Sequence, residues 1–468
     1  MKVKKETKGL IWLMVGIVVI AIAALVLDIP GLSFEGTMSL ALLVVSIIYW
    51  ATDALPVPVT AMGVVAVIPL FGIMSFTDTW TATMNSLILF LVGTFAFTVF
   101  IKHSSVATRL IALILKWAGT NPRKLIVGFM VIAAAISTIM SNVALAAVMM
   151  ALVHSLLQAG NCNEGDSRLG KSLAIAVPWA VVIGSMLTPC GGPINLMVMG
   201  MAQSTFGVEI TFASWVLVAA IPVVVLLLGT WIGVLMVFKP EPLSKEAVDF
   251  GIEKAAELPA MPFREKANIA IIFVTLVFWI AGSWLPFFNT TSVALLALVA
   301  MFVPGLRVIE FNDFVKESPW GLILMLMAVN VLVAALMGSG AVAWLIDVAF
   351  GGIASLPWLL ILLVCAAAGM LLHNFIPSGP AVAGLVTVPF IGFMVTTGGS
   401  ITAMAVTIAW FSAIAYLLPL DAVNLVSYQG YRYLKFGDMA KVGWIPTILQ
   451  VTLCVSVVPL VCSLLGLL

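Results

Sequence analysis

Charge is what this chain has least of. Only 9% of its 468 residues are Asp, Glu, Lys or Arg, there are three histidines, and the formal net charge is +1. With no basic tract among so few ionic groups, nucleic acid is excluded as a partner. The polar surface is also too small for a soluble domain. The five cysteines (Cys162, Cys190, Cys365, Cys454, Cys462) stand apart without metal-ligand spacing, which argues against a disulfide framework or a zinc site. The only buried candidates for a catalytic pair are His373 and Asp421, and no zinc or serine–base motif accompanies them. No catalytic residue is therefore assigned, and the chain is not read as an enzyme.

What remains is apolar. Hydrophobic residues make up 63% of the chain and the mean hydropathy is +1.22, values of an all-α polytopic membrane protein embedded in the lipid bilayer. The opening "MKVKKETKGL" is basic and runs into an apolar stretch of spanning length without a small-residue cleavage site. Residues 1–35 therefore read as a cytoplasmic tail and an uncleaved first helix.

Lys and Arg concentrate in short cytoplasmic loops, so their positions test any topology. All 21 fall into six clusters, at 2–8, 102–124, 168–171, 239–266, 307–316 and 432–441. Loops without them, such as "DIPGLSFEG" and "LPFFNTT", fall on the outer side. About 11 transmembrane helices follow, with the amino terminus cytoplasmic and the carboxyl terminus outside a plasma (inner) membrane. Two apolar stretches return to the side they left and read as re-entrant hairpins, at about 124–157 and 358–395. A polar segment, 239–266, is the cytoplasmic linker between halves 36–238 and 267–468.

The halves resemble each other. A shift of 235 residues sets "FTDTW…LILFLVGTFAF" from Phe76 on "FNDFV…LILMLMAVNVL" from Phe311 without a gap. With a small further shift, Ser141-Asn142-Val143-Ala144 falls on Ser378-Gly379-Pro380-Ala381, and Pro189 and Asn195 fall on Pro419 and Asn424. Because the charge pattern puts the matching segments on opposite sides, the expected architecture is a pair of inverted-topology repeats, as in secondary transporters.

Two spanning segments are interrupted. "VVIGSMLTPCGGPINLMVMG" breaks a helix at about 171–201, and "AYLLPLDAVNLV" breaks one at about 401–430. Unwound backbone at membrane depth is tolerated where it lines a polar cavity, and there its carbonyls suit a cation while helix N-termini suit an anion. The hairpin tips, carrying Ser141-Asn142 and Ser378-Gly379, are expected to meet these breaks. Asn85 and Asn330 read as helix contacts, and His103 and His154 as helix-end residues. Asp421 is either the cap of the following helix or the holder of a cation or proton.

These segments resemble the divalent anion/sodium symporter (DASS) family. The resemblance rests on "LILFLVGTFAFTVFIKHSSVATRLI", on "SNV" at Ser141, on "IGSMLTPCGGPIN", on "HNFIPSGPAVAGL" from His373 and on "FGDMAKVGWI" near the end. It implies a homodimer with scaffold and elevator-type transport domains, performing Na⁺-coupled symport of a small organic anion: a di- or tricarboxylate such as succinate, malate or citrate. By position it implies a first Na⁺ site at Ser137, Ser141, Asn142 and Gly184, and a second at Asn374, Pro377, Ser378, Gly379 and Leu420. Substrate would meet Asn142, Val143, Ser185, Thr188, Ser378, Gly379, Pro380, Pro419 and Asp421. The chain departs from the family signatures at Val143, Gly379 and Pro380, where side chains that would hydrogen-bond substrate are replaced, and at Asp421, which adds a carboxylate. Those departures leave open an anion exchanger or an H⁺-coupled transporter for another oxyanion: sulfate, a sulfonate or a monocarboxylate.

Overall fold

The computed structural model describes residues 2–52, 54–84, 86–282, 284–285, 287–350, 356–376 and 378–467, and these are helical with no strand among the described residues. Helices are what an apolar chain is left with when lipid offers backbone groups no hydrogen bond. Several hydroxyls inside them are hidden by bonding back one turn. Ser46 reaches the Leu42 carbonyl at 2.6 Å and Thr387 the Ala383 carbonyl at 2.6 Å.

Helix α1 (Lys2–Leu25) packs on α2 (Phe34–Thr52), where the Tyr49 hydroxyl donates to the Leu13 carbonyl at 2.8 Å. From α2 the chain continues through α3 (Val57–Leu70), the short α4 (Phe76–Thr83), α5 (Ser86–His103) and α6 (Val106–Ala118). A close pair follows, α7 (Pro122–Ser137) and α8 (Asn142–Ala159). An interrupted helix comes next, α9 (Arg168–Ser185), a single 3-10 turn (Pro189–Gly191) and α10 (Pro193–Phe206), before the long α11 (Phe212–Phe238).

After α12 (Lys245–Ala256) the same order of elements recurs. It runs through α13 (Phe263–Ala281), α14 (Thr290–Met301), α15 (Phe311–Glu317), α16 (Trp320–Gly338) and α17 (Ala341–Phe350). The close pair is α18 (Trp358–Phe375) and α19 (Gly379–Thr396), the interrupted helix is α20 (Ile401–Phe411) with α21 (Ala422–Gly430), and α22 (Asp438–Leu464) ends the series.

Against the 11 spans read from the sequence, six described helices are both long and apolar enough to cross a membrane, and six shorter apolar helices of 10–17 residues accompany them. Three of the shorter stretches belong to longer helices, since α1, α2 and α18 run 24, 19 and 18 residues. Helix α11 packs along α22, α7 against α9, and α5 against α14. The polar linker is not a loose tether. Its α12 packs on α6 and α8, Glu241 accepts from the Ser167 hydroxyl at 2.6 Å, and the buried Glu265 accepts from the Ser105 backbone N–H at 2.6 Å.

Candidate functional site

The site is built where each close helix pair turns and each interrupted helix stops. Helix α7 begins with Asn121, whose side chain accepts from the N–H groups of Arg123 and Lys124, followed by Pro122 at the first helical position. It ends at Ser137, and α8 starts at Asn142. Helix α9 starts with Ser167 accepting from the Gly170 N–H and stops at Ser185, ahead of Pro189 and the glycines at 191 and 192.

The turn and the stop are in contact. Asn142 Nδ2 donates to Ser185 Oγ at 3.0 Å, and Ser185 Oγ donates in turn to the Val182 carbonyl at 2.7 Å. The Thr188 hydroxyl donates to the Thr138 carbonyl, joined by the Cys190 thiol at 3.3 Å. Ser137 is fully buried and bonded to the Ala134 carbonyl at 2.8 Å. Helices α7 and α9 touch so closely at Gly184 that a Cβ there would overlap Ala134 backbone atoms and stand 2.5 Å from Ser137 Oγ. Ser137, Ser141, Asn142 and Gly184 are thus brought together with Ser185 and Thr188. Asn142 Oδ1 is buried without a hydrogen-bond partner, an open acceptor of the kind a cation or donor would fill. Val143, the next residue of the tip, is 44% exposed.

The second set is arranged similarly but is more closed. Helix α18 ends at Phe375 and α19 begins at Gly379; Pro377 lies outside the described residues, as does Asn85. Gly379 rests on the stretch that follows α20, where a Cβ would overlap the Ser412 carbonyl oxygen. His373 Nδ1 is 2.8 Å from the Phe411 carbonyl, and because a carbonyl only accepts, that nitrogen carries the proton. Its Nε2 lies 3.7 Å from Asp421 Oδ2, too far for a hydrogen bond, and is buried with no partner. Asp421 caps α21, Oδ1 accepting from the Val423 N–H at 2.9 Å, so the capping alternative is realised while the other carboxylate oxygen faces His373.

Asn374 donates to the Met370 carbonyl at 2.8 Å and leaves Oδ1 buried and unpartnered. Ser378 caps α19 by accepting from the Ala381 N–H at 3.4 Å, and Pro380 has no N–H to offer. Pro419 is buried and Leu420 half-buried within the non-helical stretch before Asp421.

Both breaks are braced by an asparagine. Asn195 Nδ2 donates to the carbonyls of Ser185 and Thr188, each at 2.9 Å. Asn424 Nδ2 donates to the carbonyls of Ala415 at 2.7 Å and Leu418 at 3.4 Å, and its Oδ1 accepts from Trp179 Nε1 at 2.9 Å. These amides satisfy carbonyls that unwinding has freed, which unwound backbone at membrane depth requires.

Three contributors escaped sequence reasoning. Thr98 on α5 accepts from the Ser141 N–H at 3.3 Å, and no local signal marks it. Ser412, fully buried with an unpartnered hydroxyl, follows α20 much as Ser185 closes α9, a likeness a closer alignment of the halves would have exposed. Trp179 is one apolar residue among many until its indole is seen on Asn424. Elsewhere, His103 and Lys102 pair with Glu317 at 2.7 and 3.4 Å, and His154 lies 3.2 Å from the Tyr433 hydroxyl, so neither histidine belongs to the site. Asn330 lines a separate cavity with Thr81 and Thr205.

The family profile described as Citrate transporter matches residues 47–415. Among curated relatives, a sodium-dependent dicarboxylate transporter of Staphylococcus saprophyticus is 24% identical over 485 aligned residues, covering 97% of this chain and 92% of the relative. A protein of the same description from Staphylococcus aureus is 26% identical over 363 residues, covering 72% of this chain and 69% of its own.

Proposed function

Because the chain belongs to the citrate transporter family, a multi-pass membrane transporter group consistent with the DASS resemblance, we propose that it carries a small carboxylate by symport with Na⁺. The single observation that carries the reading is the Asn142 tip. There an amide is held by Ser185 at 3.0 Å with its buried oxygen unpartnered, beside a helix N-terminus and the braced carbonyls of an interrupted helix. Neutral oxygens favour a weakly held Na⁺ that must also be released, and a helix N-terminus favours an anion. The two relatives, described as sodium-dependent dicarboxylate transporters, support the same pairing of ion and carboxylate.

In this reading the first Na⁺ lies among Ser137, Ser141, Asn142 and the Gly184 backbone, and the second among Asn374, Ser378, Gly379 and Leu420. Segments 36–238 and 267–468 are inverted repeats. Their close helix pairs are re-entrant hairpins, and the hairpins with the interrupted helices form a transport domain that moves as an elevator against a dimeric scaffold. The protein resides in the inner membrane with its amino terminus in the cytoplasm. The recurrence of one element order, from α2 to α11 and again from α13 to α22, supports this arrangement.

The test is uptake by purified protein in liposomes, with labelled succinate, malate, citrate and monocarboxylates, with and without an inward Na⁺ gradient. Gradient-driven accumulation is expected. Exchange of equal rate with no gradient would overturn symport. Asn142→Ala is expected to abolish uptake while leaving folding intact, and normal uptake in that variant would reduce the tip to a packing contact.

A further inference from the structure

One cavity shares no residue with the candidate transport site. It has a volume of about 430 Å³ and opens between the first turn of α7 and the end of α11, where Arg123, Trp231, Ile232, Leu235, Met236 and Lys239 line it. Trp231 Nε1 donates to the Arg123 carbonyl at 3.1 Å and ties the two helices together at this point. Arg123 and Lys239 are both exposed, and no ion pair among the described residues uses either. Glu241, two residues beyond Lys239, is engaged by Ser167 and Arg168 instead. Lys124 adds a third cation next to Arg123, its Nζ 5.6 Å from the centre of the exposed Trp117 ring. A second feature leads away from the same cavity. Met236, Ile232, Leu228 and Val224 recur every fourth residue on one face of α11 and are each 46–58% exposed, while Val223, Leu226, Thr230 and Val234 are buried as α11 packs on α22 and α9. At ~1.5 Å per residue the stripe is ~18 Å long, about the depth of one leaflet of a ~30 Å hydrocarbon core.

We propose that this cavity holds the headgroup of an anionic phospholipid, its phosphate met by Arg123 and Lys239 and one acyl chain lying along the α11 stripe. The proposal needs only that the chain lies in a bilayer, and it stands apart from what is transported. A guanidinium offers a phosphate a planar pair of N–H donors, and an ammonium adds a compact point charge. Basic pockets between transmembrane helices receive anionic headgroups in this way, and each nearby cation strengthens attraction to an anionic lipid by about fivefold. A zwitterionic headgroup carries an ammonium of its own, which the same two cations repel. The stripe selects a lipid over a soluble phosphate, because only a lipid has an apolar chain to lay on it.

The experiment titrates dioleoyl phosphatidylglycerol and dioleoyl phosphatidylcholine into the purified full-length protein in a neutral detergent, with bound lipid counted by native mass spectrometry and stability followed by thermal unfolding. Phosphatidylglycerol is expected to bind about thirtyfold more tightly than phosphatidylcholine and to raise the melting temperature, an effect that fades as salt is added. Arg123→Gln and Lys239→Gln should each weaken that preference about fivefold, and the double variant should abolish it. Both side chains are exposed, so melting of these variants without added lipid should match the wild type. Lys245→Gln with Lys254→Gln, two exposed cations elsewhere in the polar linker, makes the same change in net charge and should leave the preference intact. Equal loss in that control would reduce the effect to general surface attraction and overturn the proposal. So would the absence of a phosphatidylglycerol preference, the result for a face covered by a second copy of the chain. Glycerol 3-phosphate is the soluble arm. Binding of it as tight as that of phosphatidylglycerol would assign the cavity to a free phosphate compound and overturn the lipid reading.

Discussion

Gly184→Ala tests whether the α7–α8 turn is held against the break in α9. In the structure the added Cβ would overlap the Ala134 Cα and carbonyl oxygen and stand 2.5 Å from Ser137 Oγ, where ordinary contact begins at 3.4 Å. The obstacle is mostly backbone, so no side chain can rotate away, and α7 must retreat by roughly 1 Å. Overpacking of this kind costs ~1–3 kcal/mol, and the obstruction by backbone puts it at the upper end. Alanine in place of a helical glycine returns ~1 kcal/mol, leaving a net loss of about 2 kcal/mol. The same retreat stretches the 3.0 Å Asn142–Ser185 bond past hydrogen-bonding range, so uptake should fall by about tenfold or more. Gly63→Ala is the control. Nothing stands within 4 Å of a Cβ at Gly63, so its melting temperature should hold or rise slightly with uptake unchanged. Thermal unfolding in detergent and Na⁺-driven uptake in liposomes read both effects, and a Gly184→Ala protein that melts and transports like the wild type would refute the packing argument.

Two further outcomes follow from the braces and the linker. Asn424→Leu strands the Ala415 carbonyl and the Trp179 N–H in a fully buried place, and a double-mutant cycle with Trp179→Phe should return a coupling of ~1 kcal/mol. A coupling indistinguishable from zero would show that the two side chains are merely adjacent. Burial raises the Glu241 carboxyl, but the Ser167 hydroxyl, the Leu169 N–H and the Arg168 guanidinium together outweigh it and hold the group below the usual carboxylate range. A depressed folded-state value means stability that is full above the unfolded carboxylate pKa, about 4.3, and is lost as pH falls through the folded value. The wild type should therefore melt higher than Glu241→Gln at neutral pH, with the gap closing in acid; a gap that stays constant with pH would remove Glu241 from the linker's anchorage.

Much of this was legible in the residues because it is locally encoded. Apolar content and scarce charge dictate helices in lipid, and clusters of Lys and Arg mark where runs end. Proline and glycine at Pro189, Gly191, Gly192 and Pro193 stop α9 and restart α10, and Asn121 with Pro122 starts α7. The polar tip residues Ser141, Asn142, Ser378 and Gly379 could be named because they are out of place in an apolar run. Their roles could not be told from their types. That Ser185 and Thr188 donate their hydroxyls to the Val182 and Thr138 carbonyls is visible only in the fold, and Thr98, Ser412 and Trp179 carry no local mark at all.

The sequence by itself determined an apolar, all-helical membrane transporter of recognisable family and the places where its helices break, since composition, charge and Pro/Gly punctuation act within a few residues. Tertiary structure decided which turn meets which break, that Asn195 and Asn424 brace the unwound backbone, and that Asp421 caps its own helix while facing His373. Those outcomes depend on which groups meet in a site with little water to satisfy them, including Trp179 with Asn424 across 245 residues of chain and His373 with Phe411 across 38.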